Sequence, residues 1–210
     1  MDSGFYQRRG KRGLDCVVAT LGLALLVPIF VVVALLVKLS SPGPVFYFQD
    51  RVGLNGRRFK IVKFRSMFED ADKRGLAITS SSDRRITPIG RVIRSLKIDE
   101  LPQLLNVLKG EMSLVGPRPE VPHYVESYSP EQRRVPTVRP GITDPASIVY
   151  RREQELLAVQ TAPDRYYRDV VLPDKLIRNL EYLDRISLSN DLFLVLLTTC
   201  SMFSSKLPLK

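Results

Sequence analysis

The chain opens with a run of 22 uncharged residues, 16–37, reading CVVATLGLALLVPIFVVVALLV. At roughly 1.5 Å per residue this run is long enough as helix for a hydrocarbon core of about 30 Å. Ser40-Ser41-Pro42-Gly43-Pro44 then breaks the helix. Beyond it the period changes: PVFYFQDRV and RRFKIVKFRSM flank Asn55-Gly56 and predict a β-hairpin carrying Lys60, Lys63 and Arg65. Residues 69–85 are polar and predict a loop or a short solvated helix. Thr87-Pro88 predicts an N-cap and first-turn proline opening a short helix. Its apolar face would hold Ile89, Val92, Ile93 and Leu96, with Arg91 and Arg94 on or beside the other face. A second helix is expected over 99–109, with Leu101, Leu104, Leu105 and Leu108 toward the core and Gly110 ending it.

Gly116-Pro117-Arg118-Pro119 must be extended, because each proline fixes its own φ and moves the preceding residue out of the helical region. Arg118 is therefore expected on a stiff arm. Arg139-Pro140-Gly141 predicts a tight turn, and the remainder reads as mostly helical. Residues 192–203 are apolar but too few to span a membrane, so they predict a buried or interfacial helix. The fold class expected is α+β: a mostly helical cytosolic domain with a small β-hairpin, an N-terminal membrane helix and interfacial helices. The organisation expected is a basic N-terminus and membrane helix over 1–40 and a catalytic domain over 41–210.

Charge sharpens this picture. With 210 residues and a formal net charge of +10, the chain suits one compact domain with an anionic partner: nucleic acid, acidic lipid or a phosphorylated substrate. Cys16, Cys200 and the single histidine, His123, have no metal-ligand spacing, which argues against a disulfide framework or a zinc site and fits a reducing compartment. Arg8, Arg9, Lys11 and Arg12 precede the apolar run, and Lys38 and a basic domain follow it, with 13 Lys and Arg against 7 Asp and Glu across 50–100. Cationic flanks favour the cytoplasm on both sides, which one straight span cannot satisfy. Pro28 removes a mid-helix donor, so the segment is either a kinked span or a re-entrant hairpin through one leaflet.

Candidate chemistry centres on Lys97-Ile98-Asp99-Glu100-Leu101-Pro102. The plain account makes Asp99 an N-cap and Glu100 a first-turn acid favoured by the helix dipole. The functional account adds Arg91, Arg94, Arg118, Lys63 and Lys97, which could converge on an anionic substrate. N–H groups at a helix start attract phosphate and favour an ionised carboxylate. An ionised Asp can attack phosphorus to form an acyl phosphate while a neighbouring carboxylate holds magnesium. No Gly-rich phosphate loop of the Walker or dinucleotide type is present in the sequence.

The ordered set KIVKFRSM at 60–67, RSLKIDELPQLLNVLKGEMSLVGPRP at 94–119 and RPGIT at 139–143, behind a basic-flanked apolar helix, resembles the bacterial sugar transferase family of monotopic phosphoglycosyl transferases. The similarity is close over about 8–145 and looser beyond. It implies a re-entrant helix broken at a proline, here Pro28, and a catalytic domain on the cytoplasmic face of a bacterial inner membrane. It also implies a two-step transfer: Asp99 attacks the β-phosphorus of a UDP-sugar and releases UMP, and polyprenyl (undecaprenyl) phosphate then takes the phosphosugar. By the same resemblance Glu100 is the Mg2+ ligand, Arg118, Arg94 and Lys63 contact phosphate, and Arg139 lies near the nucleotide. The expected partners are the two substrates and anionic phospholipid, with a homo-oligomer left open, and the lack of a multi-span N-terminal region suggests the catalytic-domain-only type.

Two departures stand out. Many members have Ser-Pro at the helix break where this chain has Val27-Pro28, and many continue RPGIT with Gly-Trp-Ala-Gln where it reads Asp144-Pro145-Ala146-Ser147. The following Arg151-Arg152-Glu153 run places Arg151 among the expected nucleotide-proximal residues and leaves the donor sugar open. The competing classes are a basic nucleic-acid-binding module with a membrane anchor and a non-catalytic scaffold on anionic lipid. The first lacks a recognised motif and aromatics interleaved with its basic clusters.

Overall fold

The computed structural model describes residues 6–71 and 83–203. Most of the loop expected over 69–85 lies outside the described residues. The chain is mostly helical with two small two-stranded sheets. The first helix, α1, runs Lys11–Ser40 with Pro28 inside it. Among the described residues it is the one helix long and apolar enough to cross a membrane, and only 11% of its most apolar window is buried, unlike the core helix of a soluble protein.

One face of α1 packs along the rest of the fold on both sides of Pro28. Ala19, Leu23 and Leu26 meet Phe59, Ile61, Leu104, Val107 and Met112, and Phe30, Val33 and Val37 meet Phe64 and Ile93. The opposite face, with Leu21, Leu25, Leu35 and Leu39, is exposed. The break expected at Pro28 is therefore corrected: the helix continues through it. One lost backbone bond is outweighed by side-chain packing held in phase on either side.

Both ends of α1 are fastened. At its start Lys11 pairs with the buried Asp191, which also accepts hydrogen bonds from Tyr6 and Tyr182, each at 2.7 Å. At its end Arg65 donates to the carbonyls of Val37 and Ser41 at 3.3 and 2.7 Å and to that of Pro42. A guanidinium thus satisfies carbonyls that the helix end leaves without partners.

The hairpin forms as expected: β1 (Phe46–Val52) pairs antiparallel with β2 (Arg58–Phe64), Tyr47 opposite Lys63 and Arg51 opposite Phe59. Asn55 and Gly56 both take positive φ in the turn, which Arg57 closes by donating its N–H to the Leu54 carbonyl at 3.2 Å. Helix α2 (Pro88–Ser95) is capped by Thr87, whose hydroxyl accepts the Gly90 N–H at 2.9 Å. Glycine is required at 90, because a Cβ there would lie 1.9 Å from the Ser66 carbonyl oxygen.

The second expected helix starts later than its sequence suggests. Ile98–Glu100 form a 3-10 turn after Lys97, which is left-handed at φ 57°, and α3 covers only Gln103–Lys109 before ending at Gly110. Its buried face is Gln103, Leu104, Asn106 and Val107, while Leu105 and Leu108 are exposed, so the leucine-based face is corrected. Asn106 is the reason. Its side chain accepts the Val62 N–H at 3.0 Å and donates to the Lys60 carbonyl at 2.8 Å, turning this face toward β2.

The tight turn expected at Arg139-Pro140-Gly141 is instead the entry to a strand. β3 (Ser113–Val115) and β4 (Gly141–Thr143) pair in parallel. Gly141 is needed for close approach, since a Cβ there would meet the Gly116 nitrogen at 2.1 Å. The remaining chain is helical as expected. It includes α4 (Pro122–Glu126), α5 (Pro145–Val149), α6 (Glu153–Ala158), α7 (Pro163–Tyr166), α8 (Leu172–Asp184) and α9 (Leu188–Phe203). On α9 Asp191 and Leu194 are buried while Leu192, Phe193 and Leu196 are exposed.

Candidate active site

A single cleft of about 1750 Å³ gathers residues from β2, α2, the 3-10 turn and the Pro-Arg-Pro arm. Lys63, Arg94, Asp99, Glu100, Arg118 and Arg151 all line it. Arg139 does not; its Nε donates to the Gly110 carbonyl at 2.9 Å, at the C-terminus of α3. His123 stands outside as well, its ring 5.5 Å from that of Tyr124.

Glu100 is the electrostatic anchor. Arg118 meets it fork to fork, Nη1 to Oε2 at 3.0 Å and Nη2 to Oε1, and Lys63 Nζ reaches Oε1 at 3.1 Å. Burial opposes ionisation of Glu100, but the charges of Arg118 and Lys63 and the Arg118 hydrogen bonds outweigh it and hold the carboxyl well below the usual range. The Glu100 charge in turn raises Arg118, whereas burial lowers Lys63 despite the same carboxylate.

Asp99 has the contrary environment. It is 7% exposed, and its Oδ1 has no hydrogen-bond partner. Burial raises its pKa, the Glu100 charge adds to this, and Lys63, Arg94 and Lys97 oppose it. The helix-start rationale for Asp99 is thus replaced: on a 3-10 turn four residues before α3 it receives no first-turn N–H, and the cations around it are what favour ionisation. Two adjacent carboxyls are pushed in opposite directions, one tied into an ion cluster and one left with a free acceptor.

Arg94 adds to the cationic lining. It donates from Nη1 to the Ser66 hydroxyl at 3.3 Å, and its Nε is buried without a partner. Burial lowers its pKa while Asp99 and Glu100 oppose the shift. Arg151, also in the lining, donates to the Ser201 carbonyl at 2.6 Å.

The donor set suits magnesium. Three donors engage the Glu100 carboxylate, which leaves acceptor capacity on Oε2, and Asp99 Oδ1 is unengaged. Two hard oxygens on neighbouring residues fit an ion that keeps water and substrate phosphate in its remaining positions.

Two site-building residues have no place in the sequence-based set. Arg51 lines the cleft from β1 and donates to the Pro119 carbonyl at 3.1 Å and to Gln49 at 2.7 Å. Its signal was strand parity: positions 47, 49 and 51 share the sheet face on which Lys63 stands, Tyr47 being its cross-strand partner. Asn106 fastens α3 to β2 and so fixes Lys63 relative to the carboxylates; a lone asparagine in an apolar stretch carries no pattern that announces this.

With this geometry in place, comparison with known proteins is specific. The family model for bacterial sugar transferases matches residues 6–205, and the chain belongs to that family. It is 40% identical over 185 residues to the UDP-N-acetylgalactosamine-undecaprenyl-phosphate N-acetylgalactosaminephosphotransferase of Aeromonas hydrophila, covering 81% of this chain and 43% of that protein. It is 38% identical over 198 residues to the UDP-glucose:undecaprenyl-phosphate glucose-1-phosphate transferase of Caulobacter vibrioides, covering 93% and 70%. It is 42% identical over 199 residues to the undecaprenyl-phosphate glucose phosphotransferase of Komagataeibacter xylinus, covering 90% and 35%. The chain thus spans less than half of two of these relatives, and the sugars in their names differ. These relatives lend no support to the nucleic-acid or scaffold alternatives.

Proposed function

We propose that this protein is a phosphoglycosyl transferase that moves a sugar 1-phosphate from a UDP-sugar to polyprenyl (undecaprenyl) phosphate at the cytoplasmic face of a bacterial inner membrane. The observation that carries the reading is Asp99 Oδ1, an unpartnered carboxylate oxygen in a strongly cationic cleft whose lining includes Lys63, Arg94 and Arg118. The cleft exceeds the roughly 300–1,000 Å³ of a typical ligand pocket, which suits two substrates meeting in turn.

In the first step an Asp99 oxygen attacks the β-phosphorus of the donor. The bond from that phosphorus to the oxygen bridging it to UMP breaks, UMP leaves with the electron pair, and an aspartyl phosphosugar remains. In the second, an oxygen of polyprenyl phosphate attacks the same phosphorus, the acyl–phosphate bond breaks, and the Asp99 carboxylate is regenerated. Arg94, Lys63 and Arg118 balance charge on the equatorial oxygens in both steps, and Glu100 holds the latter two cations in place. Magnesium, held by Glu100 with Asp99 beside it, would supply further neutralisation of the donor diphosphate.

Membrane attachment is supported by the exposed face of α1 together with exposed Val92 on α2, Leu96 just after it, and Leu105 and Leu108 on α3. The test is UMP release from a panel of UDP-sugars with undecaprenyl phosphate, with and without chelator. One donor should give UMP and a lipid-linked product, and chelation should stop both. No product from any donor would overturn the reading, and full activity in excess chelator would remove the magnesium part alone.

A further inference from the structure

The Pro117-Arg118-Pro119 arm has a single backbone donor, because neither proline carries an N–H. That donor, the Arg118 N–H, goes to Oδ2 of Asp144 at 3.0 Å. Four neighbouring backbone groups are engaged as well. The Gly116 N–H donates to the Thr143 carbonyl at 3.0 Å, and the Pro117 carbonyl accepts from Gly141 at 2.9 Å. The Pro119 carbonyl accepts from Arg51 at 3.1 Å, and the Glu120 carbonyl from Val52 at 3.0 Å. Asp144 is the one side-chain carboxylate in this set and is fully buried at 0% exposure.

Its other oxygen, Oδ1, accepts the Ser147 N–H at 2.5 Å and caps α5. The chain leaving α5 carries Tyr150 and Arg151 into the lining of the cleft. One carboxylate therefore joins the arm that presents Arg118 to the α5 segment, which also lines the cleft. The double role needs two acceptor atoms on a short side chain, which Asp provides, whereas Asn has one oxygen and Ser a single oxygen nearer the backbone.

We infer that Asp144 is a positioning residue for the transfer: it sets the backbone of Arg118 so that the guanidinium faces Glu100 and the phosphate site, and it ties that setting to the α5 wall. This rests on the reading of Arg118 as a phosphate contact. A misplacement of about 1 Å in such a group can cost on the order of a hundredfold in rate.

The test is a double-mutant cycle in the full chain, read as kcat and KM for UMP release. Asp144→Ser keeps an N-cap for α5, since serine is among the favoured caps, but removes the acceptor for Arg118. It should lower kcat by about tenfold to a hundredfold with a smaller change in KM. Arg118→Lys should then cost at least tenfold less in the Asp144→Ser background than in the unaltered protein, because the two residues act as one unit. If Asp144→Ser does not fold, as judged by its melting transition, the near-isosteric Asp144→Asn takes its place in the same cycle. Equal costs of Arg118→Lys in both backgrounds, or an Asp144 variant with unaltered kcat, would overturn the inference while the functional reading stands. An unaltered protein that releases no UMP from any donor would overturn both.

Discussion

Arg118 and Glu100 face each other through both guanidinium nitrogens and both carboxylate oxygens, and Lys63 closes the group from β2 at 3.1 Å. Such a pair is costly to break from one side, because the remaining charge stays buried without its partner. Glu100→Gln should therefore lower stability by about 2–4 kcal/mol in chemical denaturation, besides cutting activity by orders of magnitude. Arg118→Lys should harm activity nearly as much as Arg118→Ala, since a point charge cannot reproduce the fork. A lysine variant within a few-fold of the unaltered rate would show that only charge is needed at 118.

Asp99 should show the opposite balance between activity and stability. Its pKa is raised by burial and by Glu100, so its ionised form opposes folding above that pKa. Asp99→Asn should abolish turnover and labelling, because an amide cannot form the acyl phosphate, and should melt at an equal or higher temperature than the unaltered protein. Incubation with donor alone should add a phosphosugar mass to the peptide holding Asp99, and a label found on another peptide would sink the assignment.

The pH dependence follows with its sign. An acid whose folded pKa is raised loses its proton later on the way up in pH, so the acidic limb of kcat/KM should lie above the ordinary aspartate range. In Glu100→Gln the residual activity should have its acidic limb at lower pH. A like charge disappears, and Lys63 and Arg118 are released to favour the Asp99 anion. For stability, the depressed Glu100 contributes above its unfolded pKa and that contribution is lost as pH falls through the folded value. An acidic limb that moves upward in Glu100→Gln would contradict this account.

Asn106 offers a test of how the site is held. Asn106→Ala strips partners from the Val62 N–H and the Lys60 carbonyl, and should cost about 2–4 kcal/mol through unsatisfied groups. Asn106→Asp should do little better, because a carboxylate can accept from Val62 but cannot donate to Lys60. Urea denaturation of both variants checks this, and near-native stability in either would mean that β2 and α3 are held by apolar packing alone.

Much of this could be read where local chemistry decides conformation. Thr87-Pro88 and Asn55-Gly56 each restrict their own backbone, and each was found as expected. Lys63, Arg94, Asp99, Glu100 and Arg118 line one cleft. Non-local features were not legible. The β3–β4 pair joins two three-residue strands too short to show a period. The left-handed Lys97 has no residue signature, so the carboxylate pair was assigned to a helix start that lies further along. Leu105 and Leu108 looked like core because exposed and core-facing leucines follow the same spacing.

The course of α1 is the last point open to test, and its two fastened ends lead to a definite expectation. Tyr6 and Lys11 are bonded to Asp191 on α9, Gln7 donates to the Ile186 carbonyl at 3.1 Å, and Arg12 donates to carbonyls at the end of α3. At the other end Val37 and Ser41 are held by Arg65 beside β2. The helix is 30 residues long, about 45 Å, and packs on the same body throughout. A perpendicular span would have to leave one of these polar attachments in the hydrocarbon or tear it from its partners, at several kcal/mol per unsatisfied group. The basic residues on both flanks pull the same way. Both ends of α1 should therefore lie on the cytoplasmic side. Single cysteines at Gln7 and Asn55, in a variant lacking Cys16 and Cys200, should both resist a membrane-impermeant thiol reagent in intact cells and react after lysis. Labelling at position 7 without lysis would establish a full span. Pro28→Ala should leave this pattern unchanged, because the helix already continues through Pro28 and its position is set by the attachments at its ends. A shift to outside labelling in that variant would show that the proline, not the packing, decides the course.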